Sequence, residues 1–260
     1  MYYMKNILLA VVFIAFSNCN AGSLDDFFEA VVQDKIATLQ QLKGLGFDVN
    51  TVNARGQGAL YLALRQPAPN VTSWLLTLPD LKVDARTGDD ETPLMMAALK
   101  GNLAVCKALI ARGADVNKPG WTPLHYAASG GHVGVIGLLL EENAYVDAAS
   151  PNGTTPLMMA ARYGSDEAVD ALLLAGADAT LRNDQGLDAL DFARQGERGG
   201  AVDRINRALN PGAVQTRVSP VRVEAPTVVA PAPTPTQAPV AARNVAASAP
   251  RAPASKPRGW

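Results

Sequence analysis

A chain of 260 residues with 48% apolar and 18% charged side chains has length for one or two packed domains and is too apolar to be wholly disordered. Its net charge of −1 hides an asymmetry: residues 22–210 hold 16 Lys/Arg against 23 Asp/Glu, a net of −7, and residues 211–260 hold six basic residues and one acid, a net of +5. The body therefore lacks the basic face that nucleic-acid binding needs, and two Cys and two His are too few for a zinc ribbon, a zinc finger or a disulfide scaffold.

Residues 1–21 read as a secretory signal peptide. Lys5 supplies the positive start, Ile7 to Phe16 is an apolar run of ten, and Cys19 and Ala21 stand at −3 and −1 of a cut before Gly22. The run is too short to span a bilayer of about 30 Å as a helix. Cys19 opens a second route, lipid anchoring through that cysteine. Such signals place an aliphatic residue three before the cysteine and Gly or Ala just before it, where this chain has Phe16 and Asn18. Soluble export is the expectation. The mature chain then keeps one thiol, Cys106, read as a small buried hydrophobe.

Leu24 to Leu45 predicts a helix pair whose acids Asp25, Asp26 and Glu29 suit a capping unit. A phased pattern follows. Gly58-Ala59-Leu60-Tyr61-Leu62-Ala63 leads by 34 residues to Thr92-Pro93-Leu94-Met95-Met96-Ala97-Ala98. Thirty residues later comes Thr122-Pro123-Leu124-His125-Tyr126-Ala127-Ala128, and 33 later Thr155-Pro156-Leu157-Met158-Met159-Ala160-Ala161. A weaker copy, Asp188 to Ala193, closes the series after another 33. A second landmark moves in step, Gly113-Ala114-Asp115-Val116-Asn117, with copies from Gly46, Asn143 and Gly176.

Each copy predicts two helices. Thr92 is a good N-cap, and Pro93 fits the first turn, where its missing N–H costs nothing. Leu94, Ala97 and Ala98 share one face, and the alanines permit close stacking. Gly101 breaks the first helix; Leu103, Val105, Cys106, Leu109 and Ile110 form a second apolar stripe. Gly113, or Asn143 in the next copy, ends the second helix in the left-handed conformation. Neither helix buries its face alone, so neighbours must stack. The 30-residue offset places a short turn at Asn117-Lys118-Pro119-Gly120, with Trp121 directly behind it.

These residues resemble the ankyrin repeat, whose signature is T-P-L-H-x-A at a 33-residue period. The resemblance covers residues 24–210, with clear repeats at 88–117, 118–150 and 151–183 and degenerate or capping ones at 24–53, 54–87 and 184–210. It implies an all-α solenoid of about six helix pairs with short β-turn fingers. The last pair, Leu187 to Leu209, carries Arg194, Glu197, Arg198 and Arg204, as a solvated cap should. Beyond it, residues 211–260 contain ten Pro among Ala and Val, a composition that predicts a disordered basic tail. The tail reads as inert, or as an arm for an anionic cell-envelope surface.

No nucleophile elbow, Walker loop, HExxH or dinucleotide-binding glycine pattern is present. His125 and His132 match structural histidines of the resembled repeat. The run Asp89-Asp90-Glu91 reads as a solvated helix start, and the Met95-Met96 and Met158-Met159 pairs as core. The expectation is a non-enzyme with no catalytic residue, metal or cofactor.

The resemblance implies a partner groove lined by the fingers and the inner helices. Its variable positions here are Arg86, Glu91, Lys100, Trp121, Ser129, Thr154, Arg162 and Tyr163. Trp, Tyr and Arg are frequent anchors, which favours Trp121, Arg162 and Tyr163. Trp121 equally suits the space left by the short turn. Ser129 and Gly130 predict a hollow between Lys100 and Tyr163. The functional expectation is a monomeric interaction scaffold in the bacterial periplasm, holding a protein partner of basic character to suit the acidic body. The alternatives are an immunity or inhibitor protein for a toxic enzyme, and a cell-wall-acting enzyme.

Overall fold

The computed structural model describes residues 24–210; the expected export signal and tail lie outside them. Twelve helices run in antiparallel pairs among these residues, with no strand and one isolated antiparallel bridge, Val52 to Gly58. The first helices of the pairs are α1 (24–32), α3 (Ala59–Arg65), α5 (Pro93–Leu99), α7 (Pro123–Gly130), α9 (Pro156–Tyr163) and α11 (Ala189–Gln195). The second helices are α2 (Ile36–Gly44), α4 (Pro69–Leu75), α6 (Leu103–Ala111), α8 (Val133–Glu141), α10 (Asp166–Leu174) and α12 (Gly199–Leu209). This is the six-pair all-α solenoid that the sequence predicts. None of these helices is long and apolar enough to cross a membrane.

Four of the first helices, α5, α7, α9 and α11, start at boxes of reciprocal hydrogen bonds, and α3 starts at Gly58 with no side-chain cap. In α5 the Met95 N–H donates to Thr92 Oγ1 (3.2 Å) and the Thr92 N–H points at Met95 Sδ (3.3 Å). Thr155 and Met158 repeat this in α9, and Asp188 and Asp191 in α11. Met95, Met96 and Met158 are core, as the sequence predicts, whereas Met159 is only half-buried; the first member of each pair also supplies a sulfur acceptor. Alanines 97, 98, 127, 128, 160 and 161 are fully buried. Their small side chains let the first helices of successive repeats lie side by side. Leu109, Leu139 and Leu172 fill the matching core of the second layer. Cys106 is buried there too, and burial pushes its thiol up to about 12. Leu103, expected in the apolar stripe, is instead exposed at the first position of α6.

Two series of polar ties join each repeat to the next. At the inter-helix loops, His132 Nε2 donates to the Leu99 carbonyl (2.9 Å), Ser165 Oγ to the Gly131 carbonyl (3.3 Å), and Arg198 to the Gly164 carbonyl. Gly131 has φ of 69°, and a Cβ there would stand 2.7 Å from the Ser165 backbone nitrogen, so only glycine fits. At the other edge, side-chain oxygens of Asn50, Asp84, Asn117 and Asp147 accept the backbone N–H groups of Lys82, Asp115, Tyr145 and Asp178. Asn143 takes a left-handed φ of 64° at the end of α8. The C-terminal unit closes with Arg204, which donates to Asp170 and Asp166 at 2.8 Å each.

His125 ties two repeats within the core. It is fully buried. Its Nδ1 accepts the Thr122 N–H (3.1 Å), so Nε2 carries the proton and donates to the Thr154 carbonyl (2.9 Å). Desolvation, partly offset by the carbonyl bonds, pushes its pKa down to about 4 from an ordinary 6.5. Above pH 6.5 folded and unfolded chains both hold a neutral imidazole. Below it the unfolded chain takes up a proton that the folded chain refuses, so this group withdraws stability as pH falls from 6.5 to about 4. Methionine occupies the same place in α5 and α9, so His125→Met keeps the box acceptor. In urea unfolding, the stability of His125→Met is expected to lose less than the parent's on acidification across this window.

Candidate functional site: the inner face at Trp121

The fingers between the pairs are built on one pattern with one exception. In the fingers from Asn53, Thr87, Ser150 and Asn183, the first N–H donates to the carbonyl four residues on, at 2.9–3.0 Å. The finger from Lys118 is one residue shorter before its helix cap and has no such bond. Lys118 fills the space itself. Its side chain is 2% exposed. The ammonium donates to the carbonyls of Pro119 (3.0 Å) and Trp121 (3.4 Å) and pairs with Asp90. Three protons meet three acceptors, which makes a buried lysine tolerable. Asp90, also 3.1 Å from Arg86, has its carboxyl held below the ordinary range, first by the Lys118 hydrogen bond and then by Arg86.

The short finger sets Trp121 beside α7. The indole is half-buried and meets the His125 ring edge-on, with centroids 5.1 Å apart. With Leu99, Tyr126, Ser129 and Met159 it lines a hollow of about 240 Å3 on the inner face. Tyr126 links this hollow to an acid. Its hydroxyl donates to Glu91 Oε1 (2.8 Å), and Tyr61 donates to Glu91 Oε2. Burial, reinforced by these bonds and the Glu91 charge, pushes both phenols above their ordinary range. In Asp89-Asp90-Glu91 the two aspartates are exposed, as a solvated helix start predicts, while Asp90 and the half-buried Glu91 are in addition held by partners from other repeats.

The eight expected site residues separate into groups. Trp121 and Ser129 line the hollow, and Glu91 reaches it through Tyr126. Arg162 and Tyr163 pair at the end of α9, the guanidinium 5.1 Å from the ring centroid and 2.9 Å from Gln195 Oε1. Tyr163 is 54% exposed. Arg86 stands exposed beside Asp90. Lys100 is exposed but lines a different groove, of about 470 Å3, with Arg65 and Pro67. Thr154 is 2% exposed and gives its carbonyl to His125, so it is a structural residue and not a surface one. The expected hollow lies at Ser129 but does not reach Lys100 or Tyr163. Gly130 does not open it either: a Cβ there would collide with His132 at 2.4 Å. Sequence reasoning missed Tyr61, Tyr126 and Met159. Tyr126 is the variable x of the T-P-L-H-x-A signature, a position the motif itself leaves free for contact.

The family model for ankyrin repeats (3 copies) matches residues 27–119 and 115–183. The chain is an ankyrin-repeat protein. Among curated relatives it is 34% identical over 161 residues to the nuclear factor NF-kappa-B p105 subunit of Gallus gallus, covering 59% of this chain and 16% of the relative. It is 41% identical over 95 residues to the neurogenic locus notch homolog protein 4 of Homo sapiens, covering 35% and 5%. The chain spans less than a fifth of these relatives' lengths. Among solved structures it is similar to a chain of the Bd0816 predatory endopeptidase of Bdellovibrio bacteriovorus in complex with immunity protein Bd3460. That match has a TM-score of 0.61 and 25% identity, and covers 70% of this chain and 97% of the other. Ankyrin repeats are protein–protein interaction scaffolds, and that function extends to this ankyrin chain.

The shared carboxylate has a spectroscopic consequence. In ultraviolet titration of the full chain, two phenols are expected to ionise above the ordinary range. Glu91→Gln is expected to lower both together, with burial keeping them from falling the whole way.

Proposed function

We propose that this chain is a non-enzymatic binding module exported to the bacterial periplasm, where it holds a partner protein against its inner face. One observation carries the reading most. The aromatic hollow at Trp121 is open beside a carboxylate that two tyrosines hold in place. A half-buried tryptophan with a tyrosine neighbour is the composition of an interface hot spot. The two histidines are each spent on backbone carbonyls. Cys106 is buried with a raised pKa, which suits packing and not nucleophilic work. Export rests on the three-part form of residues 1–21. The tail's net charge of +5 suits contact with an anionic envelope surface.

A second reading gives the partner a class: the chain neutralises a toxic hydrolase as an immunity or inhibitor protein. The similar solved chain belongs to a complex of an endopeptidase with an immunity protein, and that observation favours it.

Affinity capture tests both. The full tagged chain and a Trp121→Ala, Tyr163→Ala variant are expressed in a Gram-negative host, the periplasm is released, and bound proteins are identified by mass spectrometry. The parent is expected in the periplasmic fraction with a partner that the folded variant loses. Equal capture by both overturns the inner-face reading, and retention of the chain in the cytoplasm overturns export. A captured hydrolase whose turnover stops on binding supports the immunity reading.

A further inference from the structure

The hollow at Trp121 has a size, a wall chemistry and a charge that together define what enters it. At about 240 Å3 it is smaller than the roughly 300–1,000 Å3 of small-molecule pockets. That is room for one long side chain of a partner. Trp121, Tyr126 and the neutral His125 ring give it aromatic walls, Leu99 and Met159 add apolar ones, and Ser129 adds a small polar one. The Tyr126 hydroxyl carries the wall directly to the Glu91 carboxylate, 2.8 Å away.

Glu91 has a charge without a cation. None of the ion pairs among the described residues includes it, although its neighbour Asp90 has two, with Arg86 and Lys118. Its two oxygens each accept one phenol proton. These bonds fix the carboxylate without neutralising it, and each oxygen retains a further acceptor site. Such a group is preorganised for a cation that arrives from outside. The surrounding body is acidic, with a net of −7 over residues 22–210, so the approach of a positive group is favoured.

We infer that this hollow is a receptor for a single arginine side chain of the partner, its stem lying between Trp121 and Tyr126 and its guanidinium reaching Glu91. Arginine fits better than other basic residues. Its planar, weakly hydrated head stacks on aromatic faces and forks onto a carboxylate. The inference rests on the inner-face reading above and sharpens it by naming the chemistry of the anchor.

The test uses the full chain, labelled with nitrogen-15, and small probes in place of the unidentified partner. N-acetyl-arginine amide is titrated while the Trp121 indole N–H and the Ser129 amide are followed by NMR. N-acetyl-leucine amide serves as the apolar control. Saturable shifts at both reporters are expected with the arginine probe, and weaker ones with leucine. Glu91→Gln keeps the shape and removes the charge; its amide oxygen still accepts one tyrosine hydroxyl, and its NH2 donates to the other phenol oxygen in the reverse sense. It is expected to weaken arginine binding about ten-fold and to leave the leucine response unchanged. Tyr126→Phe, which releases the carboxylate but keeps the ring, is expected to weaken arginine binding by a smaller factor. No shift with arginine, an equal response to leucine, or unchanged affinity in Glu91→Gln overturns the inference. These outcomes are independent of partner capture: if the Trp121→Ala, Tyr163→Ala variant still loses its partner, the inner face stands and only the arginine anchor falls.

Discussion

The structure depends on lateral stacking of helices that are too short to persist alone. The inner helices α3, α5 and α11 have seven residues, and α7 and α9 have eight. Isolated helices of that length are unstable in water. They exist because buried alanines let each one lie against the next, and because Thr, Asp, Met and His side chains close the first turn of α5, α7, α9 and α11. Cohesion is therefore a property of neighbours. Removing a single tie, such as His132 to Leu99 or Arg204 to Asp166, weakens a junction and not a whole core.

The same arithmetic fixes where specificity can reside. Positions facing the next repeat are committed to packing, so identity is expressed on the inner helix faces and fingers. The one short finger concentrates that freedom. That finger lacks the turn bond of the others, Lys118 lies in its place, and Trp121 meets the His125 ring of α7. The buried lysine, the paired Asp90 and the aromatic hollow thus all gather at the short finger. Glu91, beside Asp90, takes part in no ion pair among the described residues.

What was legible in the sequence follows from how local its causes are. Thr92 with Pro93, and Asn143 at a left-handed C-terminus, act within one turn, and both were readable from residue type alone. The period carried the rest of the fold, because a repeat specifies its own neighbours. The site was less legible. Thr154 looked like a variable surface position, yet its carbonyl is the acceptor that His125 needs across the repeat boundary. Leu103 fitted the apolar stripe by spacing but falls at the first position of α6, where the face turns outward. Lys118 could not be placed at all from sequence, since its burial depends on Asp90 in another repeat and on two carbonyls within its own turn. The Glu91 link to Tyr61 and Tyr126 spans 30 and 35 residues, and no local signal announces a bond of that reach.

Two prolines in the fingers have a wider effect. The second finger residue donates its N–H to the preceding finger at Gly88 and at Asp184, to Arg55 and Asn152 respectively. At the equivalent places Pro119 and Pro151 have no N–H to give. The row of fingers thus lacks the continuous backbone donors of a sheet edge across its middle. At these two junctions the backbone bond that ties one finger to the next is missing, and Lys118 bridges to Asp90 of the preceding finger instead at the first of them. Through that stretch the register between fingers is set by side chains, so a substitution at Lys118 acts on the spacing of the fingers as well as on its own turn.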